Sequence, residues 1–198
     1  MPGMLNPSSC ALFVCDVQDK FTHFIHGYTH VVHNASLMIR GATEFGIPIF
    51  VTEQYPKAFG ETVPELISVL PQECQRLAKT QFSMLIPEVV EALQARPSIT
   101  QIILVGIETH VCVLQSAIDL LEIGYEVHIV VDGVSSTRAN DRAVGLQRLA
   151  QHGALMSCSE TVLFELTRDT AKAKNFKAIS ALVKEKRPIG LPLLTSSL

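Results

Sequence analysis

The sequence predicts a doubly wound α/β fold, with a mostly parallel, six-stranded sheet covered by helices on both faces. Three observations lead there. Short, continuously apolar runs recur along the chain, longer segments with helical spacing lie between them, and a glycine follows three of those segments. Strand followed by helix, repeated, implies parallel neighbours joined by right-handed crossovers.

The first run, Cys10 to Cys15, is apolar at every position, as expected of a strand buried on both faces. A helix from Tyr28 to Phe45 follows and stops at Gly46. Pro48 to Val51 is the second strand and Gln75 to Lys79 a weaker third, with a helix from Pro87 to Ala95 after it. The strands Ile102 to Val105 and Val127 to Val131 flank a helix from His110 to Ile123, which ends at Gly124. Asn140 to His152 is the next helix, ending at Gly153, and Ala154 to Cys158 is a weak sixth strand. Glycine suits the left-handed residue that ends a helix because it has no Cβ to clash. Ala171 to Lys186 reads as a final helix with a Lys-rich solvated face. Pro188 to Leu198 reads as an apolar tail that packs on its own core or on another subunit.

The 198 residues are 47% hydrophobic and 18% charged, against roughly 25% charged in an average domain. That excludes a disordered chain and fits one domain spanning residues 1–198. A net charge of −3 supplies no positive field for nucleic acid or anionic membrane, so neither is an expected partner. Phe21 to Ile39 carries no Asp, Glu, Lys or Arg, but its four histidines, two Thr, Asn and Ser exclude a membrane span. The first basic residue is Lys20, which fits neither a secretory signal nor a transit peptide. Five cysteines at irregular spacings, with no CxxC pair, argue against a disulfide framework and a zinc ribbon. A reduced, cytoplasmic setting is the expectation.

In open parallel sheets, ligands bind beyond the carboxyl ends of strands, where the strand order reverses. At such ends the sequence puts Asp16, Lys79 and the segment Gly106-Ile107-Glu108-Thr109-His110-Val111-Cys112. With Thr109 as the N-cap, Cys112 is the third helical residue, beside unpaired backbone N–H groups and the positive end of the helix dipole. Such a setting favours thiolate over thiol. Lys79 is the candidate cation, and Asp16 the candidate base that takes the thiol proton and hands it to a leaving amine. The same N–H groups suit an oxyanion. Each residue also has a plainer reading: Cys112 as a small core hydrophobe, Asp16 as a cap, Lys79 as a solvated charge. Joint placement at three strand ends makes them a candidate site. Cys10, Cys15 and Cys158 read as strand packing.

Asp16-Val17-Gln18 with Phe21, then Ala78-Lys79-Thr80-Gln81-Phe82-Ser83, then Gly106 through Val113 resemble the three signature blocks of the isochorismatase-like cysteine hydrolases. Thr52-Glu53-Gln54-Tyr55-Pro56 is similar to the isochorismatase domain-containing protein 2 branch in particular. The similarity runs from about residue 9 to 165. It implies an Asp16, Lys79, Cys112 triad on a parallel six-stranded sheet and a cis peptide bond before Glu108. The N–H groups of Glu108 and Cys112 would then face the oxyanion. Isochorismatases that cleave a vinyl ether resemble this sequence but lack the cysteine, so Cys112 points to amide or related acyl hydrolysis. Nicotinamidases carry an Asp-x-His metal motif where Gln54 and Pro56 stand here, so no metal is expected.

Gln18, Phe21, Tyr55, Phe82 and His110 are candidate pocket residues. His23, His26, His30 and His33 recur at helical steps, and imidazoles four apart can bind zinc. Gly27 interrupts the segment and it holds no carboxylate, so a polar helix face or subunit contact is the preferred reading. The expected function is cofactor-free hydrolysis of a small-molecule amide by a homo-oligomer. Two alternatives stand beside it: a non-catalytic or redox-sensing protein that uses the same exposed thiol, and RNA cleavage, for which no basic groove or two-metal carboxylate cluster is visible.

Overall fold

The computed structural model describes residues 3–188. Its six strands are β1 (Cys10–Cys15), β2 (Ile49–Gln54), β3 (Arg76–Lys79), β4 (Gln101–Ile107), β5 (Glu126–Ser135) and β6 (Leu155–Ser157). They pair in the order β3-β2-β1-β4-β5-β6, every pairing parallel. The order reverses between β1 and β4, which opens a crevice at their carboxyl ends. The helices are α1 (Tyr28–Phe45), α2 (Pro56–Phe59), α3 (Pro64–Ile67), α4 (Pro87–Gln94), α5 (Leu114–Glu122), α6 (Ala139–Gln151), α7 (Ser159–Thr167) and α8 (Phe176–Val183).

Strand period explains the three layers. Successive side chains point to opposite faces, so β1 sends Cys10, Leu12 and Val14 into one core and Ala11, Phe13 and Cys15 into the other. The first core is closed by residues of α1, α7 and α8, including Leu37, Met38, Leu163 and Ile179. The second is closed by α4, α5 and α6 through Val89, Leu120 and Leu146. A strand sandwiched this way has no polar face, which is why β1 reads as a solid apolar run.

Several boundaries differ from expectation for local reasons. β5 continues past its expected end at Val131, through Asp132 and Gly133 to Ser135. The Asp132 carboxylate accepts from the Ser159 N–H and hydroxyl, and its carbonyl accepts from Asn34, so its polar groups are satisfied within the fold. The last helix is α8 alone. The segment before it turns where the Asp169 carboxylate accepts from the N–H groups of Ala171 and Lys172. The short helices α2 and α3, each opened by a proline, and α7 were not anticipated. The expected apolar tail, beyond Pro188, lies outside the described residues. Gly46, Gly124 and Gly153 all have positive φ at helix ends, as expected.

Candidate active site

Parallel register sets the site. Cys15 pairs with Thr52 on one side and Gly106 on the other, and Gln54 pairs with Lys79, so four strand ends converge. The chain leaves β1 through Asp16 at φ 53, a left-handed conformation that Asp enters more readily than most residues. Its Oδ1 accepts from Thr52 Oγ1 at 2.8 Å. Its Oδ2 accepts from Lys79 Nζ at 2.7 Å and from the Cys15 thiol at 3.6 Å.

Lys79 and Asp16 form a buried ion pair, with side-chain exposures of 0% and 2%. Such a pair is tolerable only when its remaining hydrogen-bonding capacity is met. Here Lys79 Nζ also donates to Gln54 Oε1 at 2.6 Å and to the carbonyls of Phe82 and Gln81 at 2.9 and 3.2 Å. Burial alone would pull the ammonium down. The neighbouring Cys15, Asp16 and Cys112 side chains, together with the Asp16 hydrogen bond, outweigh it and hold Lys79 above its ordinary value. The cation is therefore a fixed charge.

Cys112 lies in a π-helical turn, Thr109–Val113, that opens into α5. This corrects the expectation of an α-helix capped by Thr109. Glu108, which follows β4 and keeps extended backbone, holds the capping position. Its carbonyl accepts from the N–H groups of Val111 and Val113 at 3.0 and 3.1 Å, which widens the turn. Thr109 is already inside it, its hydroxyl buried without a hydrogen-bond partner. The Ile107–Glu108 peptide is cis.

Two glycines allow the elements to close around this turn. At Gly106, with φ 120, a Cβ would lie 2.1 Å from the Cys15 carbonyl oxygen; at Gly145 of α6 it would lie 2.9 Å from the His110 nitrogen. Side chains pin the same turn. The Glu108 carboxylate accepts from Thr137 N–H at 2.7 Å, and His110 Nδ1 is 2.9 Å from Ser136 Oγ. The Ser116 hydroxyl donates to the Cys112 carbonyl at 2.6 Å and accepts from Met84 N–H at 2.8 Å. Cys112 keeps 7% of its surface exposed, whereas Cys15, which packs in the same core, has none.

The Isochorismatase domain profile matches residues 10–161. The chain belongs to the isochorismatase family. It is 45% identical to isochorismatase family protein 1A of Dictyostelium discoideum over 188 residues, covering 93% of this chain and 91% of that one. It is 44% identical to isochorismatase domain-containing protein 2 of Bos taurus over 186 residues, covering 94% and 88%. The solved MAR1 ribonuclease of Caenorhabditis elegans superposes with a TM-score of 0.92 at 39% identity, covering 99% of this chain and all of that one.

Not every expected pocket residue of this isochorismatase-family chain faces the site. Gln18 is buried and fully engaged: its amide donates to the carbonyls of Gln54 and Gly60 and accepts from Gln54 N–H, so it fastens the loop after β2. Phe21 stacks on Phe59 with ring centroids 5.0 Å apart. The Phe82 side chain is half exposed, and only its carbonyl reaches Lys79. Tyr55 does line a groove of about 360 Å³ beside Lys79, with Pro56, Thr80, Gln81, Ile86 and Pro87. His110 stands in the π-helical turn that holds Cys112. His23 and His26 precede α1, so the four histidines do not share one helix. Among the described residues no three His, Cys, Asp or Glu side chains are grouped to hold a metal, and no helix is long and apolar enough to cross a membrane.

Thr52, Gln54 and Ser116 were missed as parts of this site. The available signal was the polar run Thr52-Glu53-Gln54 at the carboxyl end of a strand that begins apolar, with Thr52 and Gln54 two apart. Period two places them on one face, the face that Asp16 and Lys79 share.

Proposed function

We propose that this chain is a cofactor-free cysteine hydrolase that cleaves a small amide through a thioester on Cys112. The observation that carries the reading is the buried, fully hydrogen-bonded Asp16–Lys79 pair set at the strand-order reversal beside Cys112. Asp16 takes the thiol proton and the thiolate attacks the amide carbon. Backbone N–H groups of Glu108 and Cys112 hold the resulting oxyanion. The C–N bond then breaks, and the amine leaves with the proton held by Asp16. Water, deprotonated by Asp16, hydrolyses the thioester and restores the thiol. Lys79 keeps its proton throughout and balances the negative charge.

Phe24, Tyr55 and Phe82 keep roughly half or more of their aromatic surface exposed, and a homo-oligomeric working form would cover it. The test joins iodoacetamide labelling, an ammonia-release screen over small amides and sedimentation of the untagged protein. Cys112 is expected to alkylate first, to carry an acyl adduct by intact mass, and to lose all turnover as Cys112→Ala. Equal reactivity of all five cysteines ends the activated-thiolate reading, and a monomer removes the oligomer. A second reading follows from likeness to the nematode ribonuclease. RNA cleavage that needs a metal and survives Cys112→Ala would favour it.

A further inference from the structure

Five thiols occupy different surroundings. Cys10 donates to Gln101 Oε1 at 3.5 Å and Cys74 to the Ile49 carbonyl at 3.6 Å. Cys15 differs, because its sulfur lies 3.6 Å from the Asp16 carboxylate while its side chain packs in the same core as Cys112, near enough for the two thiols to interact. It sits at the last position of β1, on the face turned toward the second core, where Cys112 and the start of α5 also pack. Strand packing alone would be served as well by valine or alanine.

We infer that Cys15 is a resolving thiol: when a hydroperoxide oxidises Cys112, Cys15 closes a disulfide onto it and reversibly stops the active site. The chemistry balances. The Cys112 thiolate attacks a peroxide oxygen, forming an S–O bond and breaking the O–O bond. The departing oxygen takes up a proton, and the sulfur, oxidised by two electrons, becomes a sulfenic acid. Cys15 then gives its proton to Asp16 Oδ2 and attacks the Cys112 sulfur. An S–S bond forms, and the hydroxyl leaves as water with the proton Asp16 carried. Two equivalents of a small thiol reverse the step by successive exchange: the first forms a mixed disulfide and frees one cysteine, the second frees the other, and the small thiols leave joined as their own disulfide.

The surroundings divide the labour. Cys112 reaches solvent and Cys15 does not, so peroxide meets Cys112 first. Burial, then the hydrogen bond with Cys112 and the charge of Asp16, push the Cys15 thiol well above its ordinary value. It stays protonated and inert until an electrophilic sulfur forms near it. The disulfide spares Cys112 from the irreversible sulfinic and sulfonic states.

This inference rests on the reactivity proposed for Cys112 but needs no substrate, so its readouts are chemical. Native protein is treated with equimolar hydrogen peroxide, quenched in acid, digested without reductant and mapped by mass. The expected product is a peptide pair linked through Cys15 and Cys112, with complete loss of iodoacetamide labelling at Cys112 and recovery in dithiothreitol. In Cys15→Ala the same treatment is expected to give dimedone-trappable sulfenic acid and then sulfinic acid at Cys112. Phenylarsine oxide, which bridges neighbouring thiols, tests the unmodified chain without relying on a variant that folds. It is expected to bind one to one in a way that blocks both cysteines. Should Cys112 alkylate first yet give only sulfenic and sulfinic products in the native chain, the resolving role falls and the hydrolase reading stands. Should Cys112 resist both reagents, both fall.

Discussion

At the scale of single residues, the site is built on charge that has been taken out of water and then fully bonded. Removing one partner of such a pair leaves the other stranded, whereas removing both restores a neutral interior. Lys79→Met is therefore expected to destabilise the fold by about 3 to 5 kcal/mol, because the Asp16 carboxylate keeps only Thr52 and the Cys15 thiol. The double variant Asp16→Ala, Lys79→Met is expected to cost less than the sum of the two single changes. Urea denaturation of the four proteins closes the cycle, and strictly additive losses would show that the pair is not coupled. Asp16, Lys79 and Cys112 were legible in the sequence as candidates because each lies at a strand end or shortly beyond one. Gln54 was read only as the residue standing where a metal ligand would be, and its contact with Lys79 Nζ could not be seen. Those two residues meet across neighbouring strands and are 25 positions apart in the chain.

At the scale of elements, the placement of Cys112 depends on how closely α6 lies against the π-helical turn. Gly145 faces the backbone of Thr109 and His110 with no side chain between them. A methyl group there meets backbone atoms that cannot rotate away. Gly145→Ala is thus expected to cost roughly 1 to 3 kcal/mol and to slow alkylation of Cys112 as the turn is displaced. Val144→Ala, one residue earlier and well exposed, serves as the control and stays within about 0.5 kcal/mol. Equal urea midpoints for the two variants would remove the close-approach argument. The helix expected from His110 to Ile123 was correct in place but not in winding. Composition gives the register of an apolar face, while the choice between four-residue and five-residue bonding depends on where the Glu108 carbonyl points.

At the scale of the molecule, the two cores on either side of the sheet account for the high apolar content and low charge of the chain. They also bury thiols whose ionisation opposes folding. Burial pushes Cys10 up to about 11 from an ordinary 9.0. In the unfolded chain this thiol ionises near 9.0, while the folded state retains its proton to about 11. Stability is therefore at full value below that window and falls as pH rises through it. At about 1.4 kcal/mol per pH unit, Cys10 contributes a loss of roughly 3 kcal/mol. Cys15 acts in the same direction. Urea midpoints taken across the window are expected to fall steeply for the native chain and less steeply for Cys10→Ala. Parallel slopes would show that Cys10 ionises alike in both states.

The sequence by itself determined the alternation of strand and helix, the covering of the sheet on both faces, and the strand ends that carry Asp16, Lys79 and Cys112. These follow from local period and turn chemistry, which neighbouring residues settle among themselves. Tertiary structure alone decided that Gln18 fastens a loop, that Thr52 and Gln54 hold the ion pair, and that Cys15 packs in the same core as Cys112. A polar group's partner is chosen by parallel register between segments far apart in the chain, 63 residues for Asp16 and Lys79. No local pattern records that distance.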